Sequence, residues 1–380
     1  MSAPPSSRWS EPLRGAVLGG AIVLVLGLWV YPVTPGGDSP SGPIQNDAAH
    51  YLAMARGSVT DAPAPFSFRI GVPLLAQYLP VAPEVTFRLV TWICLAWVCA
   101  LTYLLGRRLG YAPAPLALAV VAGATTPAWV YQLENPYLTD GIGLLAITAS
   151  LSAWFAGAFG VALLMLVLGP LFRETVAVTA GLWIRERPRW KVVVALAASA
   201  LSLAVVRKLP GMPPAPGLFE SAQHVLERKG LVRIFGDALG SWHALWFLAA
   251  AGLYLASKER RQQLLLPLAL LLLSATGFSL IALNTQRMYF FAFPAMVLAL
   301  AELFERAWSE RPRLLVAFLV LLVFSVPFWS PAWPFGILLA KAKALRNTYG
   351  VVLLIAAIPL LRLALRRPSP LSYSTGRARR

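Results

Sequence analysis

The feature that most constrains this chain is a series of long, predominantly apolar runs. Residues 86–106, 263–283 and 314–330 form three of them, and each approaches the roughly 20 residues with which an α-helix crosses a hydrocarbon core. Strands of a membrane barrel would alternate between apolar and polar residues, and these runs do not alternate. Charged residues make up 13% of the chain, against roughly 25% in soluble domains. The sequence therefore predicts an all-α, polytopic helical membrane protein.

We predict about 11–12 transmembrane helices from the apolar runs. Their expected positions are 15–32, 86–106, 113–131, 140–157, 159–171, 172–184, 191–206, 241–257, 263–283, 288–304, 314–330 and 349–365. These spans form a single transmembrane domain over 15–365, with tails at 1–14 and 366–380. We interpret Gly15–Tyr31 as an uncleaved first span, because it is longer than the apolar core of a typical signal peptide.

Basic residues give the orientation. With the N-terminus in the cytoplasm, Arg107, Arg108, the loops 185–191 and 305–313 and the basic C-terminal tail all fall on the inner side, as the positive-inside rule requires. The net charge of +17 is then explained by orientation and by contact with anionic lipids of the bilayer. Nucleic acid is therefore not an expected partner. We predict a multi-pass protein of the bacterial inner (plasma) membrane with both termini cytoplasmic.

Two long loops, 33–84 and 207–240, are predicted on the outer side. The first contains the most polar stretch of the chain, NDAAHYLAMARGSVTDAPAPFSFR, which runs from Asn46 to Arg69. The second opens with a proline-rich segment and continues as a predicted surface helix at 218–234.

A short amphipathic helix is predicted inside the polar stretch of the first loop. Asn46 or Asp47 can cap its first turn, and Gly57 can end it. Between them, residues of its apolar face recur at helical spacing, namely Ala48, Tyr51, Leu52 and Ala55. The pattern predicts a helix at the membrane surface with a carboxylate at its start.

Several charged residues are placed by this topology at the outer face or just beneath it. A charge at membrane depth costs at least ~2.5 kcal/mol, so each needs a reason to be there. The candidate site residues are Asp47, His50, Tyr51, Arg69, Glu134, Asp140, Arg173, Glu174 and Arg287. We expect them to converge, with Asp47 and Arg69 lining one pocket.

Each candidate also has a simpler structural explanation. Asp47 and Asp140 can act as helix caps, and Arg287 can extend its aliphatic stem to reach the membrane surface. Arg173 and Glu174 can instead pair with charges on other spans. Because the chain has three histidines in all, we predict no metal ligands. A divalent metal cofactor is compatible with the sequence but not supported by it.

An outward-facing group of carboxylates and arginines suits a substrate that carries phosphate. Arginine binds phosphate through two nitrogens and keeps its charge at any relevant pH. A nearby carboxylate can act as general base toward a hydroxyl group. Enzymes that transfer a sugar from a polyprenyl-phosphate carrier need this set of groups.

The layout resembles the GT-C superfamily of polytopic glycosyltransferases. The matching segments are QNDAAHYLAMARG, which contains Asp47, and the later PFSFRIGVPLLAQYLP, which contains Arg69. The resemblance implies inverting transfer of a hexose or pentose from a polyprenyl-phosphate donor to a lipid or cell-envelope glycan. Asp47 would be the catalytic base and Arg69 would contact the carrier phosphate. LFRET and NTQR look like the outer turns of bacterial relatives, which would make their Arg173, Glu174 and Arg287 donor-binding residues.

The chain departs from that family in two ways. Asn46 precedes Asp47 where a second acid is common, which counts against a metal-assisted mechanism. We expect no soluble outer domain after the spans, which counts against protein-modifying activities.

Two other functions stay open. A transporter or flippase of a lipid-linked solute would use the same arginines without chemistry, but the internal repeat that such proteins often show is not visible. An envelope polysaccharide polymerase or ligase would carry its functional loop late in the chain, whereas the richest loop here comes first.

Overall fold

The computed structural model describes residues 10–30, 43–57, 62, 66–185, 188–208, 217–242, 245–258, 265–282, 285–325, 355, 357–360 and 362. All regular elements in these ranges are helices, and the ranges contain no strand, so the predicted all-α class is confirmed. Most of the predicted last span, 349–365, and the tail 366–380 lie outside the described residues. Residues 33–42 of the first long loop and 209–216 of the second also lie outside the described residues.

The α-helices follow one another along the chain with short connections. In order they are α1 (Ser10–Val30), α2 (Pro43–Arg56), α3 (Gly71–Tyr78), α4 (Pro83–Arg108), α5 (Pro113–Ala124), α6 (Pro127–Glu134), α7 (Asp140–Phe155), α8 (Phe159–Leu168), α9 (Trp190–Arg207), α10 (Leu218–Trp242), α11 (Leu245–Lys258), α12 (Leu265–Ser279), α13 (Thr285–Phe290), α14 (Phe293–Glu310) and α15 (Pro312–Ser325). Three 3₁₀ helices cover Phe66–Phe68, Gly169–Leu171 and Glu174–Arg185 within the described part.

Two helices, Ser10–Leu28 and Pro83–Arg108, are long and apolar enough to cross a membrane. The number rises to four if each of two bent pairs forms one span. The pairs are Pro113–Ala124 with Pro127–Glu134, bent by 60°, and Phe219–Trp242 with Leu245–Ser257. Several shorter apolar helices, of 10–17 residues, lie at other predicted positions. By length and composition, the described chain therefore has two to four candidate spans.

Proline explains why two predicted spans are broken. The sequence predicts one helix over 113–131, but Pro127 begins α6 after a break at Thr125 and Thr126. A proline lacks the N–H that a continuing helix needs and is well suited to a first turn. The predicted span 288–304 is likewise divided, since α13 ends before α14, which has Pro294 in its first turn.

The segment 140–184 folds as three apolar pieces, at the places where three passes are predicted. Helix α7 and helix α8 are joined by a tight turn in which Gly157 has φ of +66°, a value that glycine adopts without strain. The third piece, Glu174–Arg185, is 3₁₀ rather than α-helical. A 3₁₀ run of this length is uncommon, and it begins directly at the charged pair of the LFRET segment.

Helix α1 packs closely along α4 because glycines of α1 face the backbone of α4. A Cβ atom on Gly19 would lie only 2.2 Å from the carbonyl oxygen of Ala96, and one on Gly15 would lie 3.2 Å from that of Ala100. Glycines four residues apart let two helix backbones approach in this way, as in many membrane helix pairs.

Helix α4 separates two polar ends of the bundle. Its 26 residues extend about 39 Å at the usual helical rise. At its first turn, Glu84 pairs with Arg56 at the end of α2. At its last turn, Nη2 of Arg107 lies 3.2 Å from Oε1 of Glu11 at the start of α1. We call the end at which α4 begins the site end, because the candidate residues gather there.

The first loop helix, α2, forms as predicted but begins earlier. It starts at Pro43, so Asp47 lies inside the helix and the predicted capping role is wrong. A proline at the first helical position is preorganised for the turn, which moves the start upstream. The predicted end is confirmed, since the N–H of Gly57 bonds to the carbonyl of Ala53 at 2.9 Å.

Helix α2 is amphipathic, and its apolar face is buried. Tyr51 and Met54 have no exposed surface, and the ring of Tyr51 packs 6.4 Å from that of Phe87 on α4. Gln77 on α3 donates 2.7 Å hydrogen bonds to the carbonyls of Met54 and Gly57, which fixes the end of α2.

The surface helix predicted at 218–234 is also present. It lies within α10, where Gly230 interrupts the helical backbone with φ of +69°. At the start of this second loop, the guanidinium of Arg207 lies 5.8 Å from the ring centre of Phe68 in the first loop. The two long loops therefore meet at the same end of the bundle.

Candidate functional site

Asp140 is the most deeply buried charged residue of the predicted set, with no exposed surface. It is the first residue of α7 and directly follows the N-cap residue Thr139. Its Oδ1 lies 2.9 Å from Nη1 of Arg173, and its Oδ2 accepts a hydrogen bond from Nε of Arg287. The carboxylate therefore joins two arginines from separate parts of the chain.

Arg287 continues this chain of ion pairs toward the surface. While its Nε donates to Asp140, its Nη1 donates to Oδ2 of Asp47 on α2. The Asp47 side chain is 22% exposed, whereas that of Asp140 is fully buried. The ion pairs thus form a row from the buried Arg173 through Asp140 and Arg287 to the partly exposed carboxylate of Asp47. Arg287 therefore does not extend to the membrane surface.

A second group of predicted residues lies around Arg69. Nε of Arg69 lies 3.1 Å from Oε2 of Glu174, and its Nη1 donates a 3.0 Å hydrogen bond to the hydroxyl of Tyr51. Arg69 directly follows the 3₁₀ turn Phe66–Phe68, whose carbonyl of Phe66 accepts its backbone N–H. That turn fixes the position from which the side chain extends.

The two groups are neighbours. Arg69 interacts electrostatically with Asp140 and Arg287, and Arg173 interacts with both Arg69 and Glu174. Burial by itself would lower the pKa of Arg69, but Glu174 and Tyr51 outweigh it and raise the pKa above its usual value. Arg69 is therefore a permanent cation.

Close packing as well as charge fixes the position of Arg173. A Cβ atom on Gly143, one helical turn after Asp140, would lie 2.7 Å from Cβ of Arg173. Its guanidinium lies 5.6 Å from the ring centre of Phe291, within range of a cation–π interaction. Nη1 is close to Asp140 but is not aligned for a hydrogen bond, and Nε has no hydrogen-bond partner in the described part of the chain.

Two predicted residues stand apart from the ion pairs. His50 stacks on the ring of Phe66, with ring centres 4.7 Å apart. Glu134 ends α6 and forms no ion pair with the residues that the structure describes. The side chains of Asn46, Asp61 and Asn284 lie outside the described residues.

Sequence reasoning missed Gly143 and Phe291, which shape the space around Arg173. A glycine one turn after Asp140 is the signal that could have indicated a close approach to α7, because a side chain there would prevent it.

The facing carboxylates of Asp47 and Asp140 do not fit a divalent cation. The guanidinium of Arg287 lies between them and contacts one oxygen of each. Across the described ranges, no group of three or more His, Cys, Asp or Glu side chains is placed to hold a metal ion.

Comparison with known protein families, with curated protein sequences and with solved structures finds no match to this chain.

Proposed function

We propose that this protein is a membrane glycosyltransferase. It transfers a sugar from a polyprenyl-phosphate donor to a hydroxyl group of a lipid or cell-envelope glycan, at the outer face of a bacterial inner membrane. The observation that carries the proposal is the position of Asp47. This partly exposed carboxylate lies on a loop helix and is held by Arg287 at the edge of a group of buried arginines.

In the proposed reaction, Asp47 acts as general base. Its Oδ2 accepts a hydrogen bond from Arg287. Its Oδ1 has no hydrogen-bond partner within the described residues, so this oxygen can accept a proton from the acceptor hydroxyl. The acceptor oxygen then attacks the anomeric carbon of the sugar. The bond from that carbon to the phosphate oxygen breaks, and its electron pair leaves with the polyprenyl phosphate. One such displacement inverts the anomeric configuration.

The arginines supply a place for the phosphate. Arg69 and Arg173 are buried cations that repel each other, an arrangement that an anion between them would relieve. Both have nitrogen atoms suited to phosphate oxygens, including the Nε of Arg173, which has no partner among the described residues. As the donor bond breaks, these cations would stabilise the charge that develops on the leaving phosphate.

The proposal includes the membrane setting with 11–12 spans that the apolar runs predict, of which the described chain has two to four candidates by length and composition. The long helix α4 extends from the site end to Arg107 at the opposite end. Arg107 and Arg108 lie in its last turn, as a cytoplasmic end would require, so the site end faces outward in the proposed orientation.

The contacts at the end of the bundle opposite the site favour an enzyme over a transporter or flippase. At the end opposite the site, Glu11 pairs with Arg107, and the hydroxyl of Tyr111 lies 2.8 Å from Oε2 of Glu302. Transport would require this packed end to open, whereas sugar transfer at one face does not.

The proposal is tested first by identifying the lipid that co-purifies with the full-length protein. Mass spectrometry is expected to detect a polyprenyl phosphate or its glycosylated form, which would then serve as donor in a transfer assay in liposomes. Asp47→Asn is expected to abolish transfer while the protein still inserts. Glu84→Gln removes a carboxylate of an exposed ion pair at the same end and should keep wild-type activity. Transfer by Asp47→Asn at the wild-type rate would exclude Asp47 as the base.

A further inference from the structure

Two carboxylates from distant segments face one cation at the site end. Asp47 comes from the loop helix α2 and Asp140 from the first turn of α7. Two negative charges brought together in this way repel each other unless a cation lies between them. In many proteins that cation is a divalent metal held by one or two carboxylates and by the phosphate of a substrate.

We infer that the guanidinium of Arg287 takes the place of a bridging metal ion in this protein. It contacts both carboxylates at once, through Nη1 to Asp47 and through Nε to Asp140. The inference about metal binding stands on this geometry, while its consequence for catalysis rests on the proposed function. The site then carries out transfer without a divalent cation.

The geometry of a guanidinium suits this task. Its nitrogens are fixed in one plane, so two carboxylates that bind different nitrogens are held at a set separation and orientation. Arg287 lies on the short helix α13, and its side chain is only 8% exposed. A metal ion could enter between the carboxylates only after a buried cation had been expelled, which is costly.

Among the residues that the structure describes, the charges of the ion-paired group around Arg287 are also balanced. Three acids, Asp47, Asp140 and Glu174, match three arginines, Arg69, Arg173 and Arg287. In the absence of bound phosphate, a divalent cation added to this group would leave buried charge without a partner. Removing Arg287 would have the opposite effect, because it would leave a pair of facing carboxylates with an excess of negative charge.

The excess of negative charge that removal of Arg287 would leave makes the inference testable without an activity assay. In Arg287→Met, the side chain keeps a similar length but loses its charge. The variant is expected to gain a divalent-cation site that the wild type lacks, formed by Asp47 and Asp140 with water as further ligands. Arg287 is thus a positioning residue for Asp47. When Arg287 is removed, a divalent cation is expected to bind in the place that its guanidinium takes in the wild type.

The experiment measures Mn²⁺ binding to the full-length protein in detergent, from the loss of the free-ion electron paramagnetic resonance signal. Arg287→Met should bind Mn²⁺ at least about tenfold more tightly than the wild type, the scale on which changes around metal ligands act. The double variant Arg287→Met with Asp47→Asn should lose this gain. Transfer by the wild type should be unchanged by a chelator.

Two results would overturn the inference. One is Mn²⁺ binding by the wild-type protein that Asp47→Asn abolishes, since the cation would then share the site with Arg287. The other is a folded Arg287→Met that gains no Mn²⁺ binding. If Arg287→Met does not fold, the comparison of the wild type with Asp47→Asn alone decides. A failure to detect transfer with any donor would refute the proposed function but would leave the Mn²⁺ result intact.

Discussion

The guanidinium of Arg287 donates a hydrogen bond to the carboxylate of Asp47 across 240 positions of the chain. One partner lies on a loop helix and the other on a short helix beside the core. Because Arg287 is bound on its other side to the buried Asp140, the loop helix is attached to the interior at a charged contact. The same contact that places the proposed base also stabilises the fold.

Asp140 is expected to matter for stability more than Asp47. Asp140→Asn would leave Arg173 and Arg287 buried beside a neutral group, and breaking a buried pair in this way costs about 3–5 kcal/mol. Asp47→Asn should cost less, because that carboxylate is partly exposed. Thermal unfolding of both variants in detergent provides the comparison. Equal losses would show that Asp140 does not organise the site.

Gly143 is expected to be required for the position of Arg173. A methyl group in Gly143→Ala would lie 2.7 Å from Cβ of Arg173 and would push the guanidinium away from Asp140. Overpacking of this kind costs about 1–3 kcal/mol, and we expect transfer activity to fall as well.

Gly141, on the same helix, offers a matched control for that substitution. Its added Cβ would meet Cγ2 of Thr91 at 3.7 Å, an ordinary contact. Gly141→Ala should therefore keep both stability and transfer. Similar behaviour of the two alanine variants would mean that Arg173 is not held by its contact with α7.

Arg69 is expected to bind the donor phosphate. Arg69→Gln should raise KM for the donor roughly ten- to hundredfold, the loss expected for one charge-assisted hydrogen bond. Arg56→Gln is the control, because Arg56 is 60% exposed and pairs with Glu84 at the surface of the same end. Steady-state kinetics with a varied donor concentration separates KM from kcat. An equal effect of both variants would point to a general change of surface charge.

The packing of α1 on α4 can be tested independently of function. Gly19→Ala would place Cβ 2.2 Å from the carbonyl oxygen of Ala96 and should separate the helices, lowering the unfolding temperature. Gly20→Ala is the control, since a Cβ atom there meets nothing within 4 Å. If Gly19→Ala unfolds at the wild-type temperature, the two helices do not depend on this close approach.

Local features of the sequence predict much of the fold. The apolar runs and their helical class follow from composition, and Gly57 marks the end of α2 correctly. Helix starts are less predictable, because two signals can compete within a few residues. Pro43 begins α2 ahead of the expected cap, and Pro127 divides what hydropathy alone predicts as one helix.

The sequence by itself determined which residues are costly to bury, and therefore which residues need partners. Only the tertiary structure decided who those partners are. Arg287 forms ion pairs with two acids, and Arg69 forms one with Glu174. Among the described residues, Glu134 takes part in none of these ion pairs. The reason is physical. Hydropathy and helical periodicity act over a few neighbouring residues, whereas an ion pair depends on which distant helix ends packing brings together. Three arginines and three acids allow several pairings, and the close approach at Gly143 helps to select one of them.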